Sequence, residues 1–169
     1  MKTNEIFTPD ELKKYMNEAL QLANFAKETR EVPIGALIVD NETKEVIATG
    51  YNRREELQDA IFHAEMEAIR QACQVKGSWR LEDTSLFVTL EPCPMCAGAI
   101  INSRIPNVIY GAKDPKAGSV DSINHLLNEE RYNHQADVIS DVMADECGGI
   151  LQEFFSEIRQ KNKAKDGNS

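Results

Sequence analysis

Residues 84 to 112 read "TSLFVTLEPCPMCAGAIINSRIPNVIYGA", and no other stretch restricts the fold as much. "TSLFVTL" is rich in β-branched and aromatic residues, has the length of a strand, and stops just before two prolines. "PMCAGAIINS" opens with Pro at the first position of a helix, where the missing N–H costs nothing. "NVIYGA" is a second strand-like run. A chain that alternates in this way has to lay its helices on a sheet. The alternation extends to both sides. Upstream, Thr8-Pro9-Asp10-Glu11 has the form of a capping box, and Leu12, Met16, Ala19, Ala23 and Ala26 recur behind it at helical spacing. "IGALIVD" and "EVIATGYN", joined by the turn-like "NETK", predict a β-hairpin, and "HAEMEAIRQAC" predicts a helix. Downstream, "DVISDV" predicts a last strand. From Met143 a long helix carries Cys147, Ile150, Leu151, Phe154 and Ile158 on one stripe. The expected fold is α/β, a three-layer α/β/α sandwich around a central mixed sheet of about five strands. It forms a single domain over residues 1–169, with a folded core from about 8 to 160 and a basic C-terminal tail. The loop "KDPKAG" follows a strand, where such sheets usually bind ligands.

A net charge of -9 argues against indiscriminate attachment to nucleic acid. Local charge differs, because "RQKNKAK" (Arg159 to Lys165) holds four cations and no acid. Arg53, Arg54, Lys113 and Lys116 lie beside the motifs below. The polar start "MKTNEIFTPDELKKY" carries no secretory core, and no apolar run is long enough to span a bilayer. The expected location is the reducing cytoplasm, without membrane attachment. There a Cys-x-x-Cys is more often metal-binding or redox-active than a structural disulfide.

The chain has only four cysteines, and two of them sit in Pro-Cys-Pro-Met-Cys. At i and i+3 on the first helical turn their sulfurs face one point, and the helix N–H groups favour a thiolate at Cys93. Taken alone, the motif fits a redox dithiol of thioredoxin type or half of a zinc site. The other half is in "FHAEMEAIR". On an ideal helix Phe62, Met66, Ile69 and Cys73 form an apolar stripe, and Glu67, Arg70, Gln71 and Gln74 form the wet face. Glu65 points almost opposite that wet face, in company with Ala68 and Ala72, so its carboxylate is directed inward. A buried carboxylate needs a cation or a task. His63, at the mouth of the same helix, supplies a third ligand to a Zn²⁺ held by Cys93 and Cys96, with a fourth position left for water. Glu65 is then placed to take a proton from that water.

His-x-Glu followed by Pro-Cys-x-x-Cys is the pattern of the zinc deaminases. Together with "EVPIGALIVD", "YNR", "WRLEDTSLFVTLEPCPMCAGAI", "SRIPNVIYGAKDPKAGS", "NH" and "ADECGGILQEFF", it makes nearly the whole chain resemble the bacterial tRNA-specific adenosine deaminases of the TadA family. The two-part motif identifies only the deaminase superfamily, and the flanking stretches select this member. The resemblance implies a cytidine deaminase-like fold with one Zn²⁺ per chain on His63, Cys93 and Cys96, and Glu65 as the catalytic proton carrier. The implied reaction is hydrolytic deamination of adenosine to inosine at the wobble position of the tRNA anticodon. It further implies that Asn52 reads the target base, and that Asp114, Asn133, Phe154, Phe155 and Arg159 face the anticodon loop. The implied partners are the anticodon stem-loop of an arginine tRNA and a second copy of the chain, in a homodimer whose interface includes "AGAIINSRIP". Phe154 also belongs to the apolar stripe. Phe155 lies at its edge and is the better stacking surface.

Phe62 stands where such proteins usually have a small residue, and Pro94 replaces a commoner valine. Neither removes a ligand, but Phe62 bears on substrate preference. Two other functions are compatible with parts of the sequence. A deaminase of a free base or nucleotide (guanine, cytosine or dCMP type) would share the same four residues but has no use for a basic tail. A structural zinc closed by Cys73 or Cys147 leaves the inward Glu65 unexplained. Both thiols lie on interior stripes and read as buried non-ligands.

Overall fold

Five strands build one sheet in the order β2-β1-β3-β4-β5 in the computed structural model, which describes residues 1–167. Asn168 and Ser169, the end of the expected single domain, lie outside the described residues. The strands are β1 (Gly35–Asp40), β2 (Val46–Tyr51), β3 (Thr84–Leu90), β4 (Asn107–Ala112) and β5 (Asp137–Ile139). β1 runs antiparallel to both β2 and β3, whereas β3, β4 and β5 are mutually parallel. The predicted hairpin and mixed sheet are thus present. The last strand is shorter than "DVISDV", since only Asp137, Val138 and Ile139 pair with β4.

The helices are α1 (Thr3–Ile6), α2 (Pro9–Glu28), α3 (Arg54–Leu57), α4 (Ala64–Lys76), α5 (Pro94–Ser103) and α6 (Ala144–Gly167). The capping box forms at the start of α2. Glu11 N–H donates to Thr8 Oγ1 at 3.1 Å, and Thr8 N–H donates to Glu11 Oε1 at 3.0 Å. Alternation along the strands sorts the core into two layers. Ala36, Ile38, Leu86, Val88, Val108 and Tyr110 face α4 and α5. Leu37, Val39, Phe87 and Ile109 face α2 and α6. In the second layer Phe7, Tyr15 and Phe87 meet edge-on or tilted at 5.2 to 5.6 Å, each pair adding ~0.5–1.5 kcal/mol beyond its buried area.

Alanines predominate on the buried face of α4: Ala64, Ala68 and Ala72 are fully buried, with Ile69 and Glu65 nearly so. Met66 and Cys73, on the apolar stripe read from the sequence, are only half-buried. The reason is close approach. A Cβ at Gly50 of β2 would collide with the Ala64 carbonyl, so helix and strand backbones touch there and only small side chains fit between them. No helix among the described residues is long and apolar enough to cross a membrane.

Candidate active site

The topology brings several chain segments to one edge of the sheet. The ends of β2, β3 and β4 and the start of β1 share it, because Gly35 pairs with Tyr51 and Leu90 with Ala112. α4 and α5 both begin there. His63 is the N-cap of α4 and Cys93 the N-cap of α5, each in extended conformation just outside its helix. Cys96 lies one turn into α5 and is fully buried.

The His63 Nδ1 atom stands 3.6 Å from the Sγ of Cys93 and 3.6 Å from the Sγ of Cys96. The three ligand atoms all lie within 4.8 Å of one another. Tetrahedral zinc with legs of about 2.1 Å to nitrogen and 2.3 Å to sulfur would set N and S about 3.6 Å apart, so the triad fits such an ion. The Cys96 thiol and His63 both hydrogen-bond Cys93, and against the opposing effect of burial they hold its pKa down to about 4. Cys96 is pushed far up, first by Cys93 as its hydrogen-bond partner and then by burial. His63 is raised, chiefly through its bond to Cys93. Glu65 follows on the first turn of α4, only 4% exposed, and burial raises its pKa. The inward direction read from the helical wheel thus places it in the same pocket wall as His63 and Cys93.

A pocket of about 130 Å³ opens onto this cluster, with His63, Glu65, Cys93, Asn52 and Asp114 in its wall. Asn52 is buried. Its Nδ2 donates to the Val32 carbonyl at 3.2 Å and its Oδ1 accepts from Arg54 N–H at 3.1 Å. One N–H and one lone pair of the amide stay free for a ligand. Asp114 Oδ1 accepts from the amides of Lys116 and Ala117, which fixes the turn at the pocket mouth. A groove continues from the same Val32, Ile34, Leu90 and Asp114 toward α6, where Phe155, Arg159, Lys113 and Lys116 line it. Phe155 is 42% exposed, whereas Phe154 is buried and meets Phe155 edge-on at 5.4 Å. Asn133 is exposed in the turn before β5, apart from the pocket and groove linings. Cys147 is buried under Gly111, and Cys73 sits half-buried near the Trp79 carbonyl. Neither joins the triad.

Two buried carboxylates that the sequence reading did not single out hold the pocket rim. Glu31 accepts from the amides of Glu55 and Glu56 and so caps α3. Glu91 accepts from the Asp114, Val120, Asp121 and Ser122 amides and from the Ser122 hydroxyl. Burial alone would raise the Glu91 pKa, but these donors outweigh it and hold the value at about 2. Glu91's position directly before Pro-Cys-Pro was the one available sequence signal.

Fold and site together define a deaminase domain with a His/Cys/Cys metal triad. The profile of the MafB19-like deaminase family matches residues 10–159. The tRNA-specific adenosine deaminase of Bacillus subtilis (strain 168) is 54% identical over 93% of this chain and 95% of its own length. That of Streptococcus pyogenes serotype M1 is 46% identical over 93% and 91%. A solved structure from a study of A-to-I editing by tRNA:A34 deaminases at the wobble position of transfer RNA aligns with TM-score 0.77 and 44% identity, covering 82% of this chain and 99% of that one. A guanine deaminase structure from Bacillus subtilis aligns with TM-score 0.55 and 38% identity over 59% and 63%. The chain belongs to the tRNA-specific adenosine deaminase family.

Proposed function

We propose that this protein deaminates adenosine to inosine at the wobble position of a tRNA anticodon, with one Zn²⁺ per chain on His63, Cys93 and Cys96. The observation that carries the reading is the buried Glu65 carboxylate beside that triad, in a pocket whose wall also holds Asn52. The 54% identity to a tRNA-specific adenosine deaminase supports the substrate. Zinc bound at the triad supplies the acidity that makes a water nucleophilic near neutral pH. Glu65 takes a proton from that water and delivers it to N1 of the adenine as the water oxygen adds to C6. It then carries the second proton to the exocyclic amine, the C6–N bond breaks, and ammonia leaves. The free N–H and lone pair of Asn52 hold the base edge. Asp114 at the pocket mouth orients the nucleotide as it enters.

The remaining contacts follow the groove. Phe155 offers a stacking face and Arg159, Lys113 and Lys116 offer phosphate contacts, with Phe154 as the support beneath Phe155. Asn133 would reach the RNA from the turn before β5. The expected substrate is the anticodon stem-loop of an arginine tRNA in the cytoplasm, since a loop base leaves its stack at least cost. We expect a homodimer through the segment "AGAIINSRIP". Sedimentation showing only a 19.0 kDa species at micromolar concentration would count against it. The substrate is tested by offering the purified protein an anticodon stem-loop, adenosine, guanine and cytidine and following ammonia. Turnover of the stem-loop with little on the small molecules is the expected outcome. The 38% identity to a guanine deaminase makes a free-base activity the second reading, and turnover of guanine alone would establish it.

A further inference from the structure

Glu91 is 2% exposed and lies between the end of β3 and Pro92. Every donor to its carboxylate comes from one loop, residues 114 to 122, which follows β4. Oε1 accepts from Asp114 N–H at 3.0 Å and from the Ser122 hydroxyl. Oε2 accepts from the amides of Val120 at 3.2 Å, Asp121 at 2.8 Å and Ser122 at 2.9 Å. The backbone joins in, with Glu91 N–H donating to the Ala112 carbonyl and Ser119 N–H donating to that of Pro92. Gly118 lies directly on the carboxylate, so a Cβ there would collide with Glu91. The loop has no helix or strand of its own. It is wound around one buried anion, and it carries Asp114 and Ala117 into the pocket wall.

We propose that Glu91 is a positioning residue for substrate: as an acceptor-only clamp it fixes Asp114 and the neighbouring lysines at the pocket mouth. This rests on the reading of the site as one that takes an RNA loop. The chemistry of the clamp makes a specific demand. Glutamine has the same shape but only one accepting oxygen. Turned toward Val120, Asp121 and Ser122, that oxygen keeps the three amides, and the NH₂ group then faces the Oε1 partners. The Ser122 hydroxyl can rotate to accept, but the Asp114 N–H cannot. The loss in Glu91→Gln therefore falls on Asp114, the clamped residue nearest the pocket mouth.

The experiment measures kinetics on an anticodon stem-loop, metal content and amide hydrogen exchange in the zinc-loaded protein, for Glu91→Gln, Glu91→Asp and Gly118→Ala. Glu91→Gln is expected to keep its metal and to hold kcat within about threefold, while KM rises about tenfold and exchange speeds up across residues 114 to 122. Glu91→Asp keeps two acceptor oxygens and should fall between wild type and Gln. Gly118→Ala presses on the same carboxylate from the loop side and should reproduce the rise in KM. Unchanged KM and unchanged loop exchange in Glu91→Gln would overturn the proposal. So would metal loss with kcat and kcat/KM falling together, the mark of a residue that merely supports Cys93. If Glu91→Gln does not fold, Gly118→Ala decides by the same KM criterion. If the wild type does not turn over the stem-loop, the substrate reading fails, and loop exchange in Glu91→Gln still decides the clamp.

Discussion

Replacing Glu65 by Gln separates the chemistry of the site from its architecture. The side chain is 4% exposed, so truncation to Ala would open a void beside Cys96 and confuse lost catalysis with lost packing. Gln preserves the volume and leaves His63, Cys93 and Cys96 untouched. It cannot accept a proton from water or deliver one to N1 and the leaving amine. A single positioned acid or base contributes about 10²–10⁴ in rate. On the proposed mechanism Glu65 would act on both the attack and the departure, so the combined loss should approach ~10⁴, or about 5.4 kcal/mol in the barrier. Because the lost interaction belongs to the transition state, kcat and kcat/KM should fall together while stem-loop affinity stays within about twofold. The assay is single-turnover deamination of a stem-loop, with metal content and RNA binding measured on the same preparation. A variant that retains more than about a tenth of wild-type turnover would refute the proton-carrier role. A variant that loses its metal would show that Glu65 supports the triad instead of acting beside it.

Cys93→Ala and Cys96→Ala should each abolish metal binding, whereas Cys73→Ala and Cys147→Ala keep it, and elemental analysis of the four variants checks this. Binding of the stem-loop should weaken as salt rises despite the net charge of -9 if, as proposed, Arg159, Lys113 and Lys116 along the groove meet phosphate. A salt titration with no slope would remove those cations from the interface. Lys76 pairs with Asp40 at the end of β1, and its hydrogen bond lowers the Asp40 pKa below the ordinary 3.8. A depressed carboxylate stabilises the fold fully above the unfolded value and loses that stability as pH falls through the folded one. Lys76→Met should therefore cost about 2 kcal/mol at pH 7, or roughly 4–8 °C in Tm. Thermal melts should show the gap closing below the ordinary Asp value of 3.8. A gap that is independent of pH would mean that the lysine acts through packing alone.

The features that could be read from the chain alone rest on local physics. The capping box at Thr8 and Glu11 spans four residues, and it forms as read. The strands around "GALIVD" and "TSLFVTL" announce themselves by length and residue type. His63, Cys93 and Cys96 were legible because few side chains bind zinc and their spacing fixes their direction at a helix start. The helical wheel was enough to turn Glu65 inward. It turned Ala68 and Ala72 inward as well, and both are buried, but the apolar stripe it drew also held Met66 and Cys73, which are only half-buried. How closely α4 lies on the sheet depended on Gly50, a residue of another element, against which the backbone at Ala64 and Ala68 passes. Glu91 is the clearest case of a role that only the tertiary structure could assign. In the sequence it is one acid among 28 acidic residues, and its donors lie 23 to 31 positions away. β3 and β4 must first pair side by side before the loop after β4 can close over the carboxylate. Ligand spacing and helical periodicity are properties of a few consecutive residues, whereas the partners of a buried charge depend on how the whole chain closes on itself.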